Sequence, residues 1–271
     1  MKLHHLSCGN MCPFSRRLVN GDGGWLEKGH LPCHVLLIES SQGLILVDTG
    51  FGSADLQTPS RLPVSFRMHT GFVSNPADSA RAQIEALGFS AQDVRHILLT
   101  HLDLDHAGGI SDFPQAQVHL HQREHEAGLA RRSWIERQRY NPSQWAHPVN
   151  WQCHDPVGES WQGFAAARAV PGLGDDLLLI PLHGHTQGHS GVAVNTGDGW
   201  LLHCGDAYYH RAELETPGHG PAVLRLYERL LAMDNAQRLH NQQRLRELAA
   251  TDMQLICSHD PQEMHRHLPS R

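Results

Sequence analysis

The chain of 271 residues has no run approaching the roughly 18 consecutive apolar residues that a membrane helix needs, so a membrane-spanning protein is not expected. Its first residues, Met-Lys-Leu-His-His-Leu-Ser-Cys, lack the apolar core of a secretory signal, and the expected location is the cytoplasm. Long basic runs are absent as well. With 22 Lys and Arg against 28 Asp and Glu, the net charge is −6, and nothing suggests a nucleic-acid surface. Cysteine is sparse. Six residues, at 8, 12, 33, 153, 204 and 257, are too few and too scattered to form a disulfide framework. Cys8 and Cys12 have the spacing of half a metal clip, but a second pair nearby is missing. No low-complexity linker divides the chain, so one domain over 1–271 is expected.

What the chain has in excess is histidine, 23 residues in all, which justifies a search for metal sites. The densest candidate is His101-Leu-Asp-Leu-Asp-His106, where four groups able to bind a metal fall within six positions. On an extended chain, successive side chains alternate faces, so 101, 103 and 105 share one side. His106 can join by a tight turn, which Ala107-Gly-Gly permits. Such a loop can serve two ions, with His101 and Asp103 on one, and Asp105 and His106 on the other. Three further candidates lie downstream, each just past an apolar run: His185 in Gly-His-Thr-Gln-Gly-His, Asp206 in Cys-Gly-Asp-Ala-Tyr-Tyr, and His259 in Cys-Ser-His-Asp. Jointly these are seven oxygen and nitrogen donors, a set suited to zinc, manganese or ferrous iron.

The surrounding pattern predicts where these loops sit. Runs at 35–40 and 44–47 read as a hairpin of buried strands. Strands are also predicted at 94–100, 118–121, 177–182, 191–195, 200–204 and 253–257. Helices are predicted from Pro76 to Gly88, over 122–138, and over 221–250. Residues 52–76 read as a long loop, and 141–161, with Trp145, Trp151 and Trp161, as irregular; both are expected to wall a pocket. Strands followed by helices occur twice, roughly over 1–135 and 165–271. Two sheets packed face to face with helices outside would bury both sets.

The motifs His101-X-Asp-X-Asp-His106, Gly-His185-Thr-X-Gly-His189, Gly-Asp206 and a late His259, together with Asp48-Thr-Gly, resemble the metallo-β-lactamase superfamily. The similarity runs from about residue 34 to residue 260. The layout, including Tyr209 three residues after Asp206, is similar to that of the acyl-homoserine-lactone lactonases. The resemblance implies an α+β fold, the four-layer αββα sandwich, with a dinuclear site at one edge of the two sheets. It places His101, Asp103 and His185 on one divalent ion, Asp105, His106 and His259 on a second, and Asp206 between them. Zinc is the first expectation for both ions, with manganese or iron as alternatives. His189 and Asp48 become supporting groups, His183 a solvent-facing one, and His119, His121 and His125 surface or packing groups.

The implied activity is metal-dependent hydrolysis, in which a hydroxide held between the ions attacks the carbonyl of a lactone or ester. Asp105 would orient the nucleophile, and Tyr209 would donate to the oxyanion or leaving group. The expected partner is a small molecule, with a homodimer as an open alternative. An iron-dependent redox enzyme and a phosphodiesterase are the rival activities on the same scaffold. One residue departs from the usual pattern: Asp103 stands where a histidine is expected. Two dications bring +4, while Asp103, Asp105, Asp206 and a hydroxide bring −4, so the cluster is expected to be near neutral, where the usual pattern leaves +1. A less positive cluster would attract phosphates less strongly than neutral esters.

Overall fold

In this computed structural model, which describes residues 1–155, 159–216 and 219–267, thirteen strands among the described residues form two sheets. The first contains β1 (Lys2–Met11), β2 (Leu31–Ser40), β3 (Gly43–Val47), β4 (Phe72–Val73), β5 (Val94–Leu98), β6 (Gln117–His121) and β7 (Asn150–His154), in the order β4-β1-β2-β3-β5-β6-β7. Its β1, β2 and β3 are antiparallel, whereas β3, β5, β6 and β7 run parallel. The second contains β8 (Glu159–Trp161), β9 (Phe164–Ala169), β10 (Leu177–Pro181), β11 (Ser190–Asn195), β12 (Trp200–His203) and β13 (Gln254–Ile256), in the order β13-β12-β11-β10-β9-β8. Here only β12 and β13 pair in parallel among the described strands.

The near-continuous apolar strands are explained by burial on both faces. Alternate residues of a strand face opposite sides. Leu36 and Ile38 of β2, with Ile45 and Val47 of β3, meet Val192 and Val194 of β11 and Leu177 and Leu179 of β10 in the core between the sheets. The intervening Val35, Leu37, Leu44 and Leu46 face outward beneath Ala80 and Ile84 of the helix Ala80–Ala86. On the far side, Ile180, Ala193 and Leu202 pack under Leu245 and Leu248 of the helix Asn235–Ala249. The four layers are helix, sheet, sheet, helix, as the sequence pattern implies. Each fully buried Leu or Ile contributes about 1.5–3 kcal/mol relative to exposure. No helix among the described residues is long and apolar enough to cross a membrane.

Several expectations differ from the structure. Residues 2–11, not read as regular structure, form β1, which pairs antiparallel with the buried β2. The segment 52–76 is not a bare loop: it holds the helices Ser53–Gln57 and Val64–Thr70, the second ended by Gly71 at φ 63°. The stretch 122–138 is two helices, Gln122–Ala130 and Trp134–Arg139. Arg131 in the left-handed region ends the first, and a Ser133–Glu136 capping box starts the second. The stretch 221–250 divides likewise into Ala222–Leu231 and Asn235–Ala249, where the Asp234 side chain accepts from the Gln237 N–H. The irregular stretch 141–161 contains β7 and β8, while residues 156–158 within it lie outside the described residues.

Candidate metal centre

The candidate donors sit where strands end on one edge of the sandwich. Thr100 and the loop 101–106 follow β5, His185 follows β10, Asp206 follows β12, and His259 follows β13. Strand ends leave backbone groups unpaired, and side chains supply their partners. The Asp48 carboxylate accepts the Thr100 N–H at 2.7 Å and the Thr100 hydroxyl at 2.8 Å, tying the ends of β3 and β5 together. Gly205 lets the Asp206 turn close: with φ 55°, a Cβ there would lie 2.6 Å from His189 Nε2.

The structure brings all seven donors into one cluster. His101 Nε2 lies 3.3 Å from Asp103 Oδ2 and 3.7 Å from Asp206 Oδ2. His185 Nε2 is 3.1 Å from Asp103 Oδ2 and 3.5 Å from Asp206 Oδ2. The other oxygen of Asp206, Oδ1, lies 3.3 Å from His106 Nε2 and 3.3 Å from His259 Nε2. Asp105 Oδ2 completes that side, 3.8 Å from His106 Nε2 and 3.5 Å from His259 Nε2. Asp206 thus turns one oxygen toward His101 and His185 and the other toward His106 and His259.

These groups fit a pair of divalent ions. Metal–ligand bonds of about 2.0–2.1 Å at tetrahedral angles would separate donors by roughly 3.3–3.4 Å, and the donor separations here run from 3.1 to 3.8 Å. His101 Nε2, His106 Nε2 and Asp206 Oδ1 are buried with no hydrogen-bond partner, an arrangement that burial alone makes costly. The far ring nitrogens are mostly anchored, as in metal-ligating histidines. His106 Nδ1–H donates to Asp48 Oδ2 at 2.9 Å, His259 Nδ1–H to the Pro32 carbonyl at 2.8 Å, and His101 Nδ1–H to the Thr100 hydroxyl at 2.9 Å. His185 Nδ1 has no such partner.

Charge follows the same division. Burial disfavours the Asp206 charge, but His259 and His106 hold its carboxyl well below the usual range. Asp103 is likewise buried yet held low by the Arg139 guanidinium and by His101. Burial works against a charge on His106, and Asp206, Asp105 and Asp48 outweigh it, raising the imidazole well above its ordinary value. His185 moves the other way, down to about 4, through burial and the nearby Arg139.

The remaining sequence candidates also find places. His189 Nε2 accepts the Asp206 N–H at 2.9 Å while Nδ1–H donates to the Leu182 carbonyl, and burial keeps the ring neutral. His183 is half-buried against His121 rather than solvent-facing, because its Nδ1–H donates to the His189 carbonyl. Tyr209 is buried with its ring centroid 5.2 Å from that of His259 and 6.1 Å from that of His185. Burial and Asp206 push its phenol up, so it remains a donor.

Three residues escaped the sequence reading. Glu124 is fully buried and accepts the Leu102 N–H, the Thr186 hydroxyl and the Gly188 N–H, lacing the two histidine loops together. Only its place at the start of a helix after an apolar strand hinted at a role. Cys33 lies beside Asp105 and His259. Arg139 approaches Asp103 Oδ1 at 3.3 Å, which offsets the extra negative charge counted from the sequence. Neither has a local motif. Among the described residues, no donor group includes Cys8 or Cys12.

A cavity of about 540 Å³ opens onto Asp103, Asp105, Asp206, Tyr209 and His259. Its walls are mainly apolar, with Phe66, Leu104, Trp134, Leu224 and Tyr227 among them. The segment 52–76 contributes to them as expected, through residues 63–70, but none of the described residues of 141–161 does. Trp145 instead packs in the core and Trp161 against Trp200, and the helices Trp134–Arg139 and Ala222–Leu231 take the wall.

A probable metallo-hydrolase of Mycobacterium tuberculosis is 43% identical over 266 residues, covering 96% of this chain and 81% of that protein. An N-acyl homoserine lactonase of Bacillus cereus is 26% identical over 219 residues, covering 79% of this chain and 78% of the relative. An N-acyl homoserine lactone hydrolase, solved with N-hexanoyl-L-homoserine at its catalytic metal centre, shares the fold at TM-score 0.72. That likeness has 22% identity and covers 98% of this chain and 95% of the other. The family profile of the metallo-beta-lactamase superfamily matches residues 29–254, and the chain belongs to that superfamily.

Proposed function

We propose that the chain is a metal-dependent hydrolase that cleaves a lactone or ester carrying an apolar portion. The observation behind this reading is the division of Asp206, one carboxylate oxygen toward each of two histidine-and-aspartate triads, at the floor of an apolar cavity. His101, Asp103 and His185 would hold one divalent ion, Asp105, His106 and His259 the second, and Asp206 both. The all-oxygen-and-nitrogen donor set suits zinc and admits manganese or iron. Bound there, the ions would supply Lewis-acid polarisation of a carbonyl and an activated water.

The chain's own groups have separate tasks. Asp105 faces the cavity, where its carboxylate can orient the attacking water by accepting a hydrogen bond from the water's O–H. Tyr209, kept protonated, can donate to the developing oxyanion or the departing alkoxide. The apolar walls bind the non-reacting part of the substrate and exclude water. The names of the lactonase relatives support carbonyl chemistry.

A panel of lactones, aryl esters and phosphodiesters, assayed with added zinc, manganese and iron, tests the reading. Lactones or esters are expected to turn over fastest, and Asp206→Ala and His185→Ala are expected to abolish that turnover and lower metal content. Full activity in either variant would overturn the site assignment. Faster phosphodiester cleavage would overturn the substrate class.

A further inference from the structure

Asp103 replaces a neutral ligand with an anionic one, which by itself removes one unit of positive charge from the cluster. The structure shows where that unit returns. Asp103 divides its carboxylate: Oδ2 faces His101 Nε2 at 3.3 Å and His185 Nε2 at 3.1 Å, while Oδ1 faces Arg139 Nε at 3.3 Å. Arg139 is itself buried, 6% exposed, at the end of the helix Trp134–Arg139. A buried guanidinium is costly unless it is paired and hydrogen-bonded. Among the described residues, Asp103 is its one carboxylate at ion-pair distance. The other arms of the fork are spent on backbone: one terminal nitrogen donates to the His185 carbonyl at 2.9 Å, the other to the Leu231 carbonyl at 3.1 Å.

This is not a spare surface charge that happens to lie nearby. Arg139 stands at ion-pair distance from the aspartate, whose buried Oδ1 has no hydrogen-bond partner, while it hydrogen-bonds the loop of a second donor in the same triad and the end of the helix Ala222–Leu231 that walls the cavity. Its planar fork holds directions that a lysine cannot. We propose that Asp103 and Arg139 act as one unit in place of a histidine ligand: Asp103 offers Oδ2 as a single-oxygen donor, and Arg139, a positioning residue, fixes Oδ1 and restores the lost positive charge. The unit rests on the reading that the two triads hold metal ions.

The two residues should therefore be exchangeable only together. Metal-free protein is titrated with zinc and with manganese against a chromophoric chelator, for the wild type, Arg139→Gln, Asp103→His, and the double variant. Arg139→Gln is expected to weaken one ion about 10-fold or more, the scale seen when a ligand's outer partner is lost. Asp103→His alone is expected to weaken it similarly, because it leaves the guanidinium unpaired beside the cations. The double variant is expected to return to within about threefold of the wild type. Wild-type affinity in Arg139→Gln, or a double variant as weak as the product of the singles, would overturn the unit while leaving the metal reading intact. A wild type that binds neither ion would overturn both. A merely structural arginine would lower the melting temperature of the metal-free protein and give the double variant no advantage. Should Arg139→Gln not fold, Asp103→His against Asp103→His with Arg139→Met carries the same comparison, and the paired change must bind more tightly.

Discussion

Two groups of histidines, one where strands of both sheets end and one across the first sheet, have opposite chemistry. At the metal centre, each Nε2 of His101, His106, His185 and His259 points at a carboxylate oxygen. Across β5, β6 and β7, histidines point at one another: His96 Nδ1 lies 3.0 Å from His119 Nε2, and His119 Nδ1 lies 3.0 Å from His154 Nε2. In the first group the free lone pairs converge and could share a cation. In the second, His119 has both nitrogens engaged by other rings, which leaves nothing to converge. The difference lies in what faces the ring, not in the ring. Acids at strand ends make a centre, while histidines in register on neighbouring strands make a neutral ladder.

The largest effect expected from this comparison is at Asp48. It has no counterpart in the ladder, since its carboxylate fixes His106 by the Nδ1–H hydrogen bond and holds the Thr100 backbone. Asp48→Asn should weaken the ion held by Asp105, His106 and His259 by roughly 10–100-fold, with much less change at the other triad. Chelator competition with elemental analysis measures both. Equal weakening of the two ions would mean that Asp48 supports the whole edge rather than one ligand.

A smaller effect, of a different kind, belongs to the ladder. Burial and its two histidine neighbours lower His119 to about 3. An unfolded histidine takes up its proton near 6.5. Between those values the unfolded chain binds the proton and the folded one does not, so stability is full above about 6.5 and is lost as pH falls toward 3. This group alone should cost on the order of a few kcal/mol across that window. Denaturant unfolding of metal-free protein at several pH values should show the slope, and His119→Leu should flatten it. An unchanged slope in the variant would assign the acid sensitivity elsewhere.

The sequence distinguished these two groups only in part. The donors His101 to His106, His185, Asp206 and His259 were legible because each belongs to a short motif at the end of an apolar run, where a strand must turn. The four layers were legible because strands with both faces apolar need cover on both sides. Arg139, Glu124 and Cys33 were not, because their partners lie far away in sequence: Arg139 meets Asp103 and the His185 carbonyl, and Glu124 meets Thr186 and Gly188. The breaks at Arg131 and Ala232–Asp234 were missed for a more local reason. Neither carries proline or glycine, and the caps Ser133 and Asp234 were hidden among other polar residues.

The smallest effect expected is at Cys33, and it sharpens the rule about what faces a ring. Its sulfur lies close enough to Asp105 and His259 to count as a third donor. Yet its place in β2 has another cause: the adjacent Pro32 carbonyl anchors His259 Nδ1, which draws this strand against the centre. Burial and the nearby Asp105 push the thiol well above its usual range, so it stands there as a small neutral group. A centre already furnished with three carboxylates gains little from a soft sulfur ligand. Cys33→Ala should therefore leave the affinity for both ions within about threefold of the wild type, measured by the same chelator competition. A loss as large as that of Asp48→Asn would make the sulfur a ligand, and would show that proximity to an acid pair selects donors irrespective of their softness.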